Sequence, residues 1–120
     1  MNYKEFHELE IWKNGFDLLM KIYTLTDEFP FEEKYSLTSQ IRRSANSIVA
    51  NIAESHGRYS YPDKIRVLYI TRGEVLETRS HLVVAFGRKY IGLDDFGNLN
   101  KKYKQLTIDL NKYIAGLKRK

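Results

Sequence analysis

The chain has 120 residues, a formal net charge of +5 and no cysteine. That length fits one domain, 1–120, around one core, and the lack of cysteine excludes a disulfide framework and a thiolate metal site. No apolar run approaches the roughly 18 residues of a membrane span, and the polar opening MNYKEFHELE holds no signal-peptide core. The expectation is a cytoplasmic protein with no membrane partner.

The first element is expected over about residues 9–27. Leu9, Trp12, Phe16, Leu19 and Tyr23 recur at steps of three and four, one face of a helix. Pro30 bars the α region to Phe29 and sets the limit. Ile11, Leu18, Ile22 and Leu25 form a second apolar stripe on another side of this helix. A helix that is apolar on two faces needs a second partner, so these four residues are read as an oligomer interface.

The second element is expected over about 34–56, with Leu37, Ile41, Ala45, Ile48 and Ile52 as its apolar face. Beside that face run Gln40, Ser44, Ser47, Asn51 and Glu54, again at steps of four and three. Ser60-Tyr61-Pro62-Asp63 then reads as the capped start of a third helix over about 61–90, with proline in its first turn. Its apolar side is assigned to Ile65, Leu68, Tyr69, Val75, Leu76, Leu82, Val83, Phe86 and Tyr90, and Gly92 to its end. On that phase Arg72 and Arg79 fall inside the apolar arc, level with Ser47 and Gln40 of the second helix. A buried guanidinium needs acceptors. The expectation is therefore a buried polar network of Gln40, Ser44, Ser47, Asn51, Arg72 and Arg79.

Asp94 is read as the N-cap of a fourth helix over about 95–117. Phe96, Leu99, Tyr103, Leu106, Leu110, Tyr113 and Leu117 keep a heptad seam along it. Four amphipathic helices with short connections specify an all-α, antiparallel up-down-up-down four-helix bundle. A long helical hairpin that completes its core only on dimerising is the alternative. Leu19, Ile48, Leu76 and Leu106 are the expected core residues, one per helix.

Charge is unevenly spread. Residues 1–60 hold 7 Lys/Arg and 9 Asp/Glu, net −2; residues 61–120 hold 13 and 6, net +7. A basic half suits an anionic partner such as RNA or DNA. Lys101, Lys104, Lys112 and Arg119 share one side of the fourth helix, opposite its seam, and are the expected phosphate contacts. A solvated helix face would look the same. Catalytic patterns are missing: His7, His56 and His81 stand apart, no HExxH or phosphate loop occurs, and no Gly-x-Ser-x-Gly turn is present. No enzyme activity, metal or cofactor is expected.

YSLTSQIRRSANSIVANIAESHGR (Tyr35 to Arg58), YITRGEVLETRSHL (Tyr69 to Leu82) and the opening FHELEIWKNGFDLLMKIYTLTDEFP together carry a family resemblance. They resemble the bacterial four-helix-bundle proteins encoded by intervening sequences of 23S ribosomal RNA genes, which include the accessory variability protein of diversity-generating retroelements. The chain departs from that pattern at Ser55, where glycine is usual, and at Glu74, where a small residue is usual. The resemblance implies a homopentamer, nucleic-acid binding, and partnership with a reverse transcriptase for the retroelement relatives. The functional expectation is a non-enzymatic nucleic-acid-binding or nucleoprotein-assembly module. The alternative is a homo-oligomeric scaffold or adaptor with no nucleic-acid role.

Overall fold

The computed structural model describes residues 4–120. Four helices follow one another: α1 (Glu10–Thr26), α2 (Leu37–Gly57), α3 (Tyr61–Gly87) and α4 (Leu93–Lys118), with single 3-10 turns at Phe6–Glu8 and Phe31–Glu33. No strand is present among the described residues. Each helix packs on the next, α4 returns beside α1, and α1 and α3 sit diagonally across the bundle. The bundle measures 48 × 23 × 21 Å. Its core closes within one chain, as the bundle reading requires and the helical-hairpin alternative does not. No helix among the described residues is long and apolar enough to cross a membrane.

Local chemistry explains the boundaries. The Ser60 hydroxyl accepts from the Asp63 backbone N–H at 3.2 Å, and Pro62 lies in the first turn of α3. At the other end α3 stops at Gly87, short of the expected Tyr90. Lys89 takes the left-handed conformation at φ 65°, and the Tyr90 N–H reaches back to the Ala85 carbonyl at 2.9 Å. This is the hydrogen-bonded reversal that ends many helices, with lysine where glycine is usual. Gly92, expected as the end of α3, is instead the N-cap of α4, while Asp94 and Asp95 stand in its first turn against the positive end of the helix dipole.

The core is aliphatic with one phenol. Ile22, Ile41, Ile48, Ile52, Leu68, Val75, Leu82, Tyr103, Leu106 and Leu110 are fully buried. Gly15 brings α1 close to α2: a Cβ there would lie 3.1 Å from Val49 Cγ1 and 3.6 Å from Ile48 Cγ2. Leu19, Ile48 and Leu106 are core residues, as expected, but Leu76 is 59% exposed.

Two helices are rotated from the expected phase. On α1 the aliphatic stripe turns inward: Ile11, Leu18 and Ile22 are buried, and Leu25 packs against the core. These four residues therefore do not form an oligomer interface. The aromatic stripe takes the outer position, with Phe16 and Tyr23 exposed and Trp12 only partly buried. Branched aliphatics fill a narrow inter-helix space in few rotamers, whereas the wide rings of Trp12 and Phe16 stack on each other at the surface, 5.1 Å between centroids.

On α3 the buried line is Val67, Leu68, Thr71, Val75, Thr78, Leu82 and Ala85. The expected network of Arg72 and Arg79 with Gln40, Ser44, Ser47 and Asn51 does not form. One residue's rotation puts Thr71 and Thr78 against α2 and swings both arginines toward α4. Arg72 Nη1 donates to Asn111 Oδ1 and Arg79 Nε to Asn100 Oδ1, each at 2.8 Å. Of the α2 polar stripe only Ser44 is fully buried. It accepts from Thr78 Oγ1 at 2.8 Å and donates to the Ile41 carbonyl at 3.2 Å. Gln40 is exposed and accepts from Arg43 Nε at 3.1 Å, while Ser47 and Asn51 are half-buried. Threonine enters the core more cheaply than arginine, because its one hydroxyl can bond within its own helix, as Thr71 does to the Val67 carbonyl at 3.0 Å.

Two stability measurements check this architecture. Ile48→Ala and Leu106→Ala are expected to cost about 2–5 kcal/mol each in denaturant melts, and Leu93→Ala, at an exposed site, less than about 0.5 kcal/mol. Lys89→Gly is expected to raise stability by up to about 1 kcal/mol, by relieving a side chain held in the left-handed region.

Candidate nucleic-acid interface

α4 separates its two sides cleanly. Leu99, Tyr103, Leu106, Leu110 and Ile114 are buried, and Phe96, Tyr113 and Leu117 pack on their edges. The opposite side carries Lys101, Lys104, Lys112 and Arg119, all exposed. At 1.5 Å of rise per residue the four span about 27 Å, close to the axial length of eight base pairs. Ile108 and Ala115 stand between them, so no carboxylate interrupts the line. Among the described residues none of the four joins an ion pair. Asp109 lies toward α1 and accepts from Gln105 Nε2 at 3.1 Å.

Neighbouring helices add charge that spacing along one helix does not show. Lys118 Nζ sits 5.6 Å from the centre of the Tyr69 ring, and the Arg72 guanidinium 4.8 Å from it, so two cations share one phenol at the α3–α4 edge. On the α1 side a groove of about 590 Å³ runs between α1 and α4, with Leu18 and Leu106 in its lining and Lys21 and Lys102 across it. Lys21 beside Lys102, by hydrogen-bond contact and by like charge, lowers the Lys102 pKa from its usual value. No sequence signal announces that pair, because it depends on the register of two helices far apart in the chain.

A separate ionic cluster lies between α2 and α3. Arg43 bonds Glu77, reaches Glu74 at 3.7 Å, and His81 Nε2 lies 3.3 Å from Glu77 Oε2. Burial first, and the Arg43 charge second, hold the His81 pKa below the usual histidine value. Arg43 offsets one of the two carboxylate charges across this helix seam, and none of these groups lines the α1–α4 groove. His7, His56 and His81 remain apart, and no group of three or more His, Asp or Glu among the described residues is placed to hold a metal ion. The chemical capacity of the surface therefore lies in α4: three lysine point charges and the Arg119 guanidinium along one side of a helix, suited to anions spaced along a polymer.

No curated protein matches the chain. Among solved structures it is similar to a protein of unknown function from the S23 ribosomal protein family of Bacteroides thetaiotaomicron. The two are 27% identical, the match covers 87% of this chain and 97% of that one, and the TM-score is 0.80. The family model described as "23S rRNA-intervening sequence protein" matches residues 7–112, which includes all four helices up to the Lys112 turn of α4. With a bundle that superposes on an S23-family protein along nearly its whole length, and a family match spanning most of the sequence, the chain belongs to the 23S rRNA-intervening sequence protein family.

Proposed function

We propose that this protein is a non-enzymatic, self-assembling helical bundle that holds nucleic-acid phosphates on the outer face of α4. The observation that carries the reading is the run of Lys101, Lys104, Lys112 and Arg119, exposed and free of ion pairs among the described residues. Lysines tied to surface carboxylates contribute little to an external anion. Lysines left free release counterions when phosphates replace those ions, and this drives binding. The family description ties its members to an intervening sequence of 23S rRNA, which supports RNA as the nucleic acid encountered. In a homo-oligomer the α4 line repeats, and weak contacts add through avidity. The family resemblance favours five copies, and a nucleic-acid enzyme such as a reverse transcriptase fits the same reading as a further partner.

Backbone contact without base readout gives weak sequence selectivity and steep salt dependence. The test compares the unmutated protein with a Lys101→Gln, Lys104→Gln, Lys112→Gln, Arg119→Gln variant. Binding to structured RNA and to duplex DNA is titrated at two salt concentrations. The variant is expected to keep its fold and assembly, to bind at least tenfold more weakly at low salt, and to lose about 0.9 from the log–log salt slope for each duplex phosphate contact removed. Equal binding by the two proteins, or no binding by either at low salt, overturns the reading and leaves a homo-oligomeric scaffold in its place.

A further inference from the structure

Apolar residues are spread round the whole circumference of α3, unlike the one-sided α2 and α4. A helix apolar on all sides is normally enclosed. Here α2 and α4 cover only the inner half, and α1 lies diagonally across the bundle. The uncovered half presents Tyr69, Leu76 and Val83, spaced seven residues apart, with Leu76 and Val83 59% and 55% exposed. Ile70 and Val84 stand on a second exposed line, with Glu77 between them drawn to Arg43. Between the two lines run Gly73, Ser80 and Gly87, again seven apart, leaving a shallow furrow. An apolar ridge beside a small-residue furrow at heptad spacing is a surface that a second helix packs into.

The opposite corner of the bundle shows another uncovered apolar face. Phe6, Phe16, Met20 and Tyr23 are exposed there, and Trp12 joins Phe6 and Phe16 in an aromatic run, with ring centroids 5.4 and 5.1 Å apart. The surroundings differ in sign. Around the α3 ridges stand Arg66, Arg72, Arg79 and Lys118 against the carboxylates of Asp63, which pairs with Arg66, and Glu77, which pairs with Arg43, so the surroundings stay net positive. Beside the α1 face Lys13 pairs with Glu10, and Arg42, stacked on Tyr23, pairs with Asp27, which leaves Glu5, Glu8 and Glu28 to make its surroundings net negative. Two copies meeting α3 to α3 would bring like charges together, and both α1 faces would stay uncovered. One copy's α3 meeting the next copy's α1 brings opposite charges together and covers both faces.

We propose that the outer ridges of α3 dock on the Trp12–Phe16–Tyr23 face of α1 in a second copy of this chain. This rests on the self-assembly reading above and specifies its geometry. The contact is heterologous, since two different patches meet, so a docked pair keeps one free α3 face and one free α1 face. Such a contact propagates to a closed ring or an open filament and never stops at a two-fold dimer.

Mixing two variants tests the pairing. Leu76→Asp with Val83→Asp charges the α3 face only, and Phe16→Asp with Tyr23→Asp charges the α1 face only. All four positions are exposed, and helical circular dichroism checks that each variant folds. By light scattering at tens of micromolar, the unmutated protein is expected to be a higher oligomer and each variant a monomer. An equimolar mixture is expected to form a dimer and stop there, because only one intact pair of faces remains. The mixed pair should associate at least tenfold more tightly than either variant with itself. A monomeric unmutated protein overturns both this proposal and the self-assembly reading. If the unmutated protein is an oligomer, assembly surviving in either variant, or a mixture that stays monomeric, overturns the α3–α1 pairing and leaves self-assembly standing. An α1-face variant that remains a dimer points instead to α3 meeting α3 across a two-fold axis.

Discussion

The rotation of α3 about its own axis decides most of what this bundle shows to its surroundings, and a buried hydroxyl contact fixes that rotation. Thr78 and Ser44 meet between α2 and α3 at 2.8 Å, with no access to water. Turning α3 by one residue would break this contact and bring either the Arg72 and Arg79 guanidiniums or the Glu77 carboxylate into the seam, and a buried charge without a partner costs more than the contact itself contributes. With the threonines held inward, Arg72 and Arg79 reach Asn111 and Asn100 on α4. Tyr69, Leu76 and Val83 are thereby left on the outside, and the edge beside the α4 lysines becomes positive.

A second constraint acts on α1 through the absence of one carbon atom. Gly15 lets that helix approach α2 until Val49 fills the space a methyl group would need. The approach draws α1 to the α2 side, where Arg42 covers Tyr23 at 4.9 Å and donates to Thr26 Oγ1 at 2.8 Å. On the far side the α1–α4 seam stays partly open, with Lys21 and Lys102 across it. The bundle is thus not four-fold symmetric in its packing. Three seams are tight hairpins between sequential helices, and the fourth is a groove.

The parts legible in the sequence are those where a helix has only one apolar side. On α4 the heptad seam, the exposed lysine line and the approximate limits can all be read, because polar residues leave a single possible phase. Periodicity loses its power on α1 and α3, which each carry two apolar stripes. On α1 the aliphatic and aromatic stripes are equally periodic, and side-chain shape, not hydrophobicity, selects between them. Gly15, flanked in space by Ile11, Leu18 and Ile22, was the residue that marked the inner side. On α3 a threonine with an internal carbonyl partner behaves as a core residue, which a reading that counts hydroxyls as polar misses. Reading Thr71 and Thr78 as buried would have moved Arg72 and Arg79 out of the seam at once. The Lys21–Lys102 encounter and the Lys118–Tyr69 contact depend on helix register across the bundle, so no local pattern encodes them.

The unequal seams also order the molecule in time. α2 and α3 share the most extensive contact and are joined by only Arg58 to Ser60, so little chain entropy opposes their meeting. The Ser55 hydroxyl and the Lys64 ammonium bridge that turn, to the Lys64 and His56 carbonyls at 2.9 and 2.7 Å. This hairpin is the unit that forms from local contacts and separates last. α1 rests on α2 along one side and on an open groove along the other. Its amide protons are therefore expected to exchange with solvent through a partial opening that leaves α2, α3 and α4 packed, at a free energy below that of global unfolding.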